Sequence, residues 1–211
     1  MESPMRREIR SMPGHGSGAG QFWALDGDHA ERVGEYAQLL ALQLGLSTQE
    51  AAQIGSAATF HDLGKIGLPD SLLRKRAPLD TAEWEIVKQH PSIGASLLSG
   101  AATSLLRMAR LIALTHHEHW DGSGYPNGLR GESIPLAGRI TMLADRYDAL
   151  RSRRPYKAPF SHKRTCEILL AGDSRSKPEH FDPRLLDAFR ECQDQFCRIR
   201  HTVSRTYDKV A

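Results

Sequence analysis

The chain has 211 residues, room for one domain with a proper core and at most a small appendage. It is 40% hydrophobic and 25% charged, as a globular protein is, and 28 basic against 25 acidic residues leave a formal +3, too mild for a surface that grips duplex nucleic acid. No apolar run approaches the roughly 18 residues that span a bilayer, and the N-terminus lacks a signal peptide's apolar core, so a cytoplasmic protein with no membrane partner is expected. Cys166, Cys192 and Cys197 have no C-x-x-C spacing and read as reduced thiols.

In chain order, residues 1–20 are Gly-rich and aperiodic and are expected to be a flexible tail or linker. Residues 21–200 form the domain, and 201–211 are a basic C-terminal end, read as a frayed helix or a partner contact. Val33, Tyr36, Ala37, Leu40 and Leu44 share one helix face, with Gly45 near its end. Ser47 and Glu50 form a capping box for a second helix, which runs through Ile54, Ala57 and Ala58 to His61. Asp80 or Thr81 starts a third, ending by His90, and Pro91 can open a short one of its own. Leu105, Ala109 and Ile112 mark another, ending at His116, and residues 120–135 are a Gly/Pro/Asn loop. Ile140, Leu143, Ala144 and Tyr147 share the next helix, Ser161 caps one that Gly172 ends, and Asp182-Pro183 opens the last. No segment alternates like a strand, so the fold is expected to be all-α.

The ten histidines are not scattered. His29, His61 and His116 each continue an apolar helix face, and so point inward. One such histidine would read as a core residue with a hydrogen bond; three would need three separate partners, and a shared metal satisfies them at once. Asp62 reads as a salt bridge to Lys65, a helix cap or a ligand; Asp145 as a solvated acid or a ligand. Together, His29, His61, Asp62, His90, His116, His117 and Asp145 are enough donors for two cations with one carboxylate bridging. Nitrogen and oxygen donors without thiolate suit Mn, Fe, Ni or Zn better than Ca or Mg.

Two stretches carry a resemblance. His61-Asp62-Leu63-Gly64-Lys65-Ile66-Gly67 resembles the signature of the HD phosphohydrolase superfamily. His116-His117-Glu118-His119-Trp120-Asp121-Gly122-Ser123-Gly124-Tyr125-Pro126 resembles the stretch that defines its HD-GYP branch. Arg139-Ile140, Ala144-Asp145, Asp148-Ala149-Leu150, Arg154-Pro155-Tyr156-Lys157 and Phe181-Asp182-Pro183 follow in the family's order, and the match spans roughly residues 26–190. The resemblance implies an HD-superfamily helical bundle with a GYP loop and additional C-terminal helices. It implies the same seven residues as metal ligands, with Asp62 bridging two divalent transition metals: Fe or Mn first, Ni, Zn or Co as alternatives. Leu25 stands where some members have a glutamate for a third metal, so two are expected. Arg153 replaces a frequent acid, and Gly138 a frequent alanine.

The implied function is hydrolysis of cyclic di-GMP to pGpG, and onward to GMP, by a hydroxide bridging the metals. Asp62 and Lys65 would be catalytic, Lys65 contacting the phosphate or protonating the leaving oxygen; Lys65 could equally do no more than pair with Asp62. Arg154 and Lys157 would bind substrate, or else are solvated cations. Tyr125 would bind substrate or shape the loop, and Trp120 is a core anchor or a base-stacking wall. The alternatives are an HD phosphohydrolase acting on another nucleotide, or a low-turnover module that senses the dinucleotide or docks on a protein. Expected partners are a diguanylate cyclase or an upstream sensor domain, and a second copy in a homodimer.

Overall fold

Capping chemistry divides the chain into helices whose ends, more than their middles, build the site. The computed structural model describes residues 27–75, 77–152, 158–174 and 176–207, with backbone alone over 201–207. The order is α1 (Gly27–Gln43), α2 (Thr48–Ala58), α3 (Asp70–Leu73), α4 (Thr81–Val87), α5 (His90–Leu97), α6 (Ser104–Thr115), α7 (Leu136–Arg151), α8 (His162–Ala171) and α9 (Pro183–Tyr207). Single 3-10 turns occupy Leu63–Gly67, Gly131–Ser133 and Pro178–His180. Among the described residues there is no strand, as expected. The sequence tail 1–20 lies outside the described residues, as does Leu25.

The Ser47–Glu50 capping box opens α2, and Asp80 with Glu83 forms a second box that opens α4. Pro91 sits in the first turn of α5. Thr103 and Ser161 cap α6 and α8 through their side chains, and Gly172 closes α8 with φ +88°. The second helix is shorter than its apolar pattern suggests. It ends at Ala58 because Phe60 and His61 donate to carbonyls three residues back, Ala57 and Ala58, and the chain tightens out of the α-helical ladder. The last helix runs unbroken from Pro183 through Tyr207.

Helix α1 lies against α2, α7 and α9, while α6 joins α2, α5 and α7. The core is aromatic where α1, α7 and α9 meet: Tyr36 stacks on Phe196 at 4.6 Å, and Tyr147 and Phe189 meet Phe196 edge-on at 4.9 and 5.0 Å. Fully burying each such ring contributes about 1.5–3 kcal/mol, and each well-placed pair adds about 0.5–1.5 kcal/mol. Val33, Ala37 and Leu40 complete the buried stripe of α1.

Gly138, where alanine is frequent in the resembling family, is explained by its neighbour. A Cβ there would stand 2.2 Å from Thr115 Oγ1 and 3.0 Å from Thr115 Cβ, at the α6–α7 contact. Alanine normally stabilises a helix by about 1 kcal/mol over glycine, but overpacking costs about 1–3 kcal/mol. Gly138→Ala is therefore expected to lower stability in urea denaturation, and Thr115→Ala in the same chain to recover much of the loss. Simple additivity of the two losses would contradict this contact.

Candidate metal centre

The end of α2, the end of α4, the end of α6, the first turn of α1 and the middle of α7 converge on one buried cluster. The last carbonyls of a helix lack intrahelical partners, and three histidines use them. His61 Nδ1 lies 2.9 Å from the Ala58 carbonyl oxygen and His90 Nδ1 2.8 Å from that of Val87. His116 Nδ1 lies 3.1 and 3.0 Å from those of Ile112 and Ala113. Only an N–H can make these contacts, so in each neutral ring Nε2 carries the lone pair and faces inward. His61 and His116 stand just past the helices whose faces the sequence pattern had extended to them, and His90 lies at the α4–α5 junction, at the start of α5.

Two donor groups result, each with its ligand atoms within 4.8 Å of one another: Asp62, His90, His116 and His117, and beside it His29, His61 and Asp145. Asp62 faces both. Its Oδ1 lies 3.4 Å from His90 Nε2 and 3.8 Å from His116 Nε2, while Oδ2 lies 3.3 Å from His61 Nε2. Asp145 Oδ1 lies 3.3 Å from His29 Nε2 and 3.8 Å from His61 Nε2. Gly64 allows the close approach behind Asp62: a Cβ there would fall 1.9 Å from the His90 carbonyl oxygen.

The donors fit a metal on three counts. His61 Nε2 is buried, faces carboxylate oxygens and makes no hydrogen bond. The Nε2 atoms of His90 and His116 stand 3.3 Å apart, both with lone pairs inward, an arrangement that a cation between them would turn from repulsive to attractive. Nitrogen and carboxylate oxygen donors without thiolate suit transition metals.

The charges agree. Burial opposes ionisation of Asp62, but Lys65 and His61 outweigh it and hold the carboxyl well below its usual range. Burial likewise opposes Asp145, and the His29 hydrogen bond, with His61 beside it, overrides it and holds the carboxyl well below its usual range. Burial, aided by His116, pushes His90 down to about 4 and holds His117 well below the ordinary imidazole value, so both rings are unprotonated at neutral pH. His29 goes the other way: burial lowers it, but hydrogen bonds to Asp145 and Asp148 push it up to about 10 in the metal-free protein. A metal must displace that proton.

The stability of the metal-free protein should therefore peak near the ordinary imidazole pKa of about 6.5. Below it, the unfolded chain takes up protons that folded His90 and His117 refuse, and stability falls toward pH 4. Above it, the stabilisation from protonated His29 is lost progressively as pH rises toward 10. Urea midpoints of chelated protein across pH 4–10 test this; a midpoint that rises steadily through neutrality to pH 10 would contradict it.

Lys65 Nζ pairs with Asp62 Oδ2. Tyr125 stacks on His117 with ring centroids 4.7 Å apart, and its backbone N–H donates to the His117 carbonyl at 3.1 Å. Arg154 and Lys157, and Arg153 beside them, lie outside the described residues. Trp120 is half-buried and engaged: Arg139 lies over its ring at 5.4 Å, and its backbone bonds His180 and Gly131.

Sequence reasoning left Asp148 and Glu118 without a role. Asp148 is fully buried and accepts from His29 Nδ1 at 2.8 Å, from Arg32 Nε and Nη2 at 2.7 and 2.8 Å, from Ser152 at 3.1 Å and from Arg200 at 3.1 Å. It orients His29 so that Nε2 faces Asp145. The available signal was a matched spacing: His29 and Arg32 on α1, Asp145 and Asp148 on α7, each three apart. Glu118 is buried and accepts from the backbone N–H groups of Asn127 and Leu129 at 2.7 and 2.9 Å, which fastens the loop under Tyr125.

A profile of the HD domain family matches residues 24–185. The chain is 44% identical over 174 residues to the 3'3'-cGAMP-specific phosphodiesterase 2 of Vibrio cholerae, covering 82% of this chain and 33% of that one. It is 46% identical over 177 residues to the cyclic di-GMP phosphodiesterase response regulator RpfG of Xanthomonas campestris, covering 82% and 46%. It thus spans about a third to a half of the length of these relatives. The solved structure of Bd1817, an HDG"Y"P protein from Bdellovibrio bacteriovorus, shares the fold with a TM-score of 0.58 at 20% identity, over 77% of this chain and 51% of that one. Among the described residues no helix is long and apolar enough to cross a membrane.

Proposed function

Because the chain belongs to the HD domain family, and within it to the HD-GYP proteins, we propose that it is a metal-dependent phosphodiesterase hydrolysing cyclic di-GMP to pGpG, and onward to GMP. The observation that carries this is the position of Asp62, one oxygen toward His90 and His116 and the other toward His61. That is the arrangement a bridging carboxylate between two cations requires.

His90, His116 and His117 would hold one divalent transition metal, His29, His61 and Asp145 the other, and Asp62 both; Fe or Mn are the first candidates. When bound, such a pair supplies a water-derived nucleophile at neutral pH and offsets the charge of the phosphodiester. The backbone carbonyls behind His61, His90 and His116 fix the tautomers, so no ring need reorient before the donors act. Asp62 holds the Lys65 ammonium at the edge of the donor cluster. There it can bind a phosphate oxygen or give a proton to the departing 3′ oxygen as the phosphorus–oxygen bond breaks. Tyr125, packed on His117, forms the wall on that side. Arg154 and Lys157 are proposed to bind the substrate's phosphate or guanine edge.

We place the protein in the cytoplasm, which three free cysteines fit. An upstream sensor domain, a diguanylate cyclase partner and a homodimer belong to the same proposal. The test is turnover of cyclic di-GMP and of 3'3'-cGAMP by the purified chain with Mn or anaerobic Fe(II), products read by chromatography. Metal-dependent formation of pGpG or GMP is expected. Metal-loaded protein that leaves cyclic di-GMP intact would overturn the assignment, and turnover of 3'3'-cGAMP alone would change the substrate.

A further inference from the structure

Helix α4 has no buried residue, although it carries Trp84 and Ile86. What fixes it is polar. Asp80 and Glu83 cap each other's backbone, and Lys75 clamps Glu83 at 2.6 Å. Such a helix is not held by the core; it is held in place while presenting a large aromatic ring, with Trp84 43% exposed. That ring is next to the metal centre. Trp84 meets Tyr125 edge-to-face with centroids 6.1 Å apart, and Tyr125 stacks on the candidate ligand His117. The three rings form a continuous aromatic path from the donor cluster to the surface.

Resting on the phosphodiesterase reading, we propose that Trp84 is a stacking platform for a purine base of the bound dinucleotide, with Tyr125 as its inner neighbour. A nucleotide whose phosphate sits at the donor cluster carries its flat base one sugar away, and the path outward from the cluster along His117 and Tyr125 ends at Trp84. Trp120, the other tryptophan among the described residues, has Arg139 over its ring and holds the loop through its backbone. Stacking is indifferent to base identity, because every base has a π-face. Trp84 therefore supplies affinity and not discrimination between guanine and adenine.

The test combines kinetics with binding. In the metal-loaded chain, Trp84→Ala is expected to raise KM for cyclic di-GMP on the order of tenfold or more. Any turnover of 3'3'-cGAMP should suffer by the same factor, with kcat and metal content nearly unchanged, and Trp84→Phe should retain most of the affinity. GMP should quench tryptophan fluorescence of the wild-type protein, and the quench should vanish in Trp84→Phe. An unchanged KM in a folded, metal-loaded Trp84→Ala protein, or quenching that survives Trp84→Phe, overturns the platform. If the wild type turns over neither dinucleotide, the activity reading falls, and the GMP quench alone decides the platform.

Discussion

Replacing Asp62 by alanine is expected to empty the site of metal and to lower phosphodiester hydrolysis by about a thousandfold or more. Two metals that generate the nucleophile and neutralise the phosphate are worth several kcal/mol of transition-state stabilisation, and each 1.36 kcal/mol is about tenfold in rate. Asp62 faces both donor groups, so its removal is expected to weaken metal binding at both together. It also removes the carboxylate that pairs with Lys65. Metal analysis and turnover should be read on the same sample, with circular dichroism to verify the fold. A metal-poor Asp62→Ala protein that keeps its activity would defeat the mechanism. His61→Ala, by contrast, removes a ligand from one group only.

Asp148→Asn is expected to cost both stability and metal. Asp148 receives the two-pronged guanidinium of buried Arg32, with Arg200 from the last helix on the same oxygen. Breaking a buried ion pair while leaving one partner charged costs about 3–5 kcal/mol. The same carboxylate fixes His29, and losing the acceptor behind a metal-bound histidine lowers metal affinity about 10–100-fold. Burial opposes its charge, yet the Arg32 and His29 hydrogen bonds hold Asp148 down to about 2, so it is ionised throughout the working range. Urea denaturation of the chelated protein reads the first effect, and metal titration the second. A destabilised variant with wild-type metal affinity would show that Asp148 supports the helices without orienting His29.

The residues at the centre were legible from sequence because histidine on an apolar helical pattern is conspicuous. Their geometry was legible only in part. His61 and His116 continue apolar patterns and His90 falls at a helix junction, but their rings are set by last-turn carbonyls of α2, α4 and α6. Periodicity detects a face; it does not detect the tightening that ends α2 at Ala58. The capping box at Ser47 was legible because its two residues are three apart. Asp148 was not, because its partners Arg32 and Arg200 are 116 and 52 residues away and meet it only when α1, α7 and α9 pack. Glu118 sat within the recognised motif, yet its backbone partners nine and eleven residues on could not be read from spacing. Sequence reasoning weighed Trp120 as a core anchor or a stacking wall and did not consider Trp84, the exposed ring that meets Tyr125.

Turnover of cyclic di-GMP against metal added stepwise to chelated protein, with bound metal counted in each sample, separates a two-metal centre from a one-metal centre. No hydrolysis is expected at zero metal, with a rate that climbs steeply only as the second equivalent is taken up and pGpG formed first. Full activity without metal, or saturation of the rate at one bound metal, would contradict a centre in which Asp62 joins two cations.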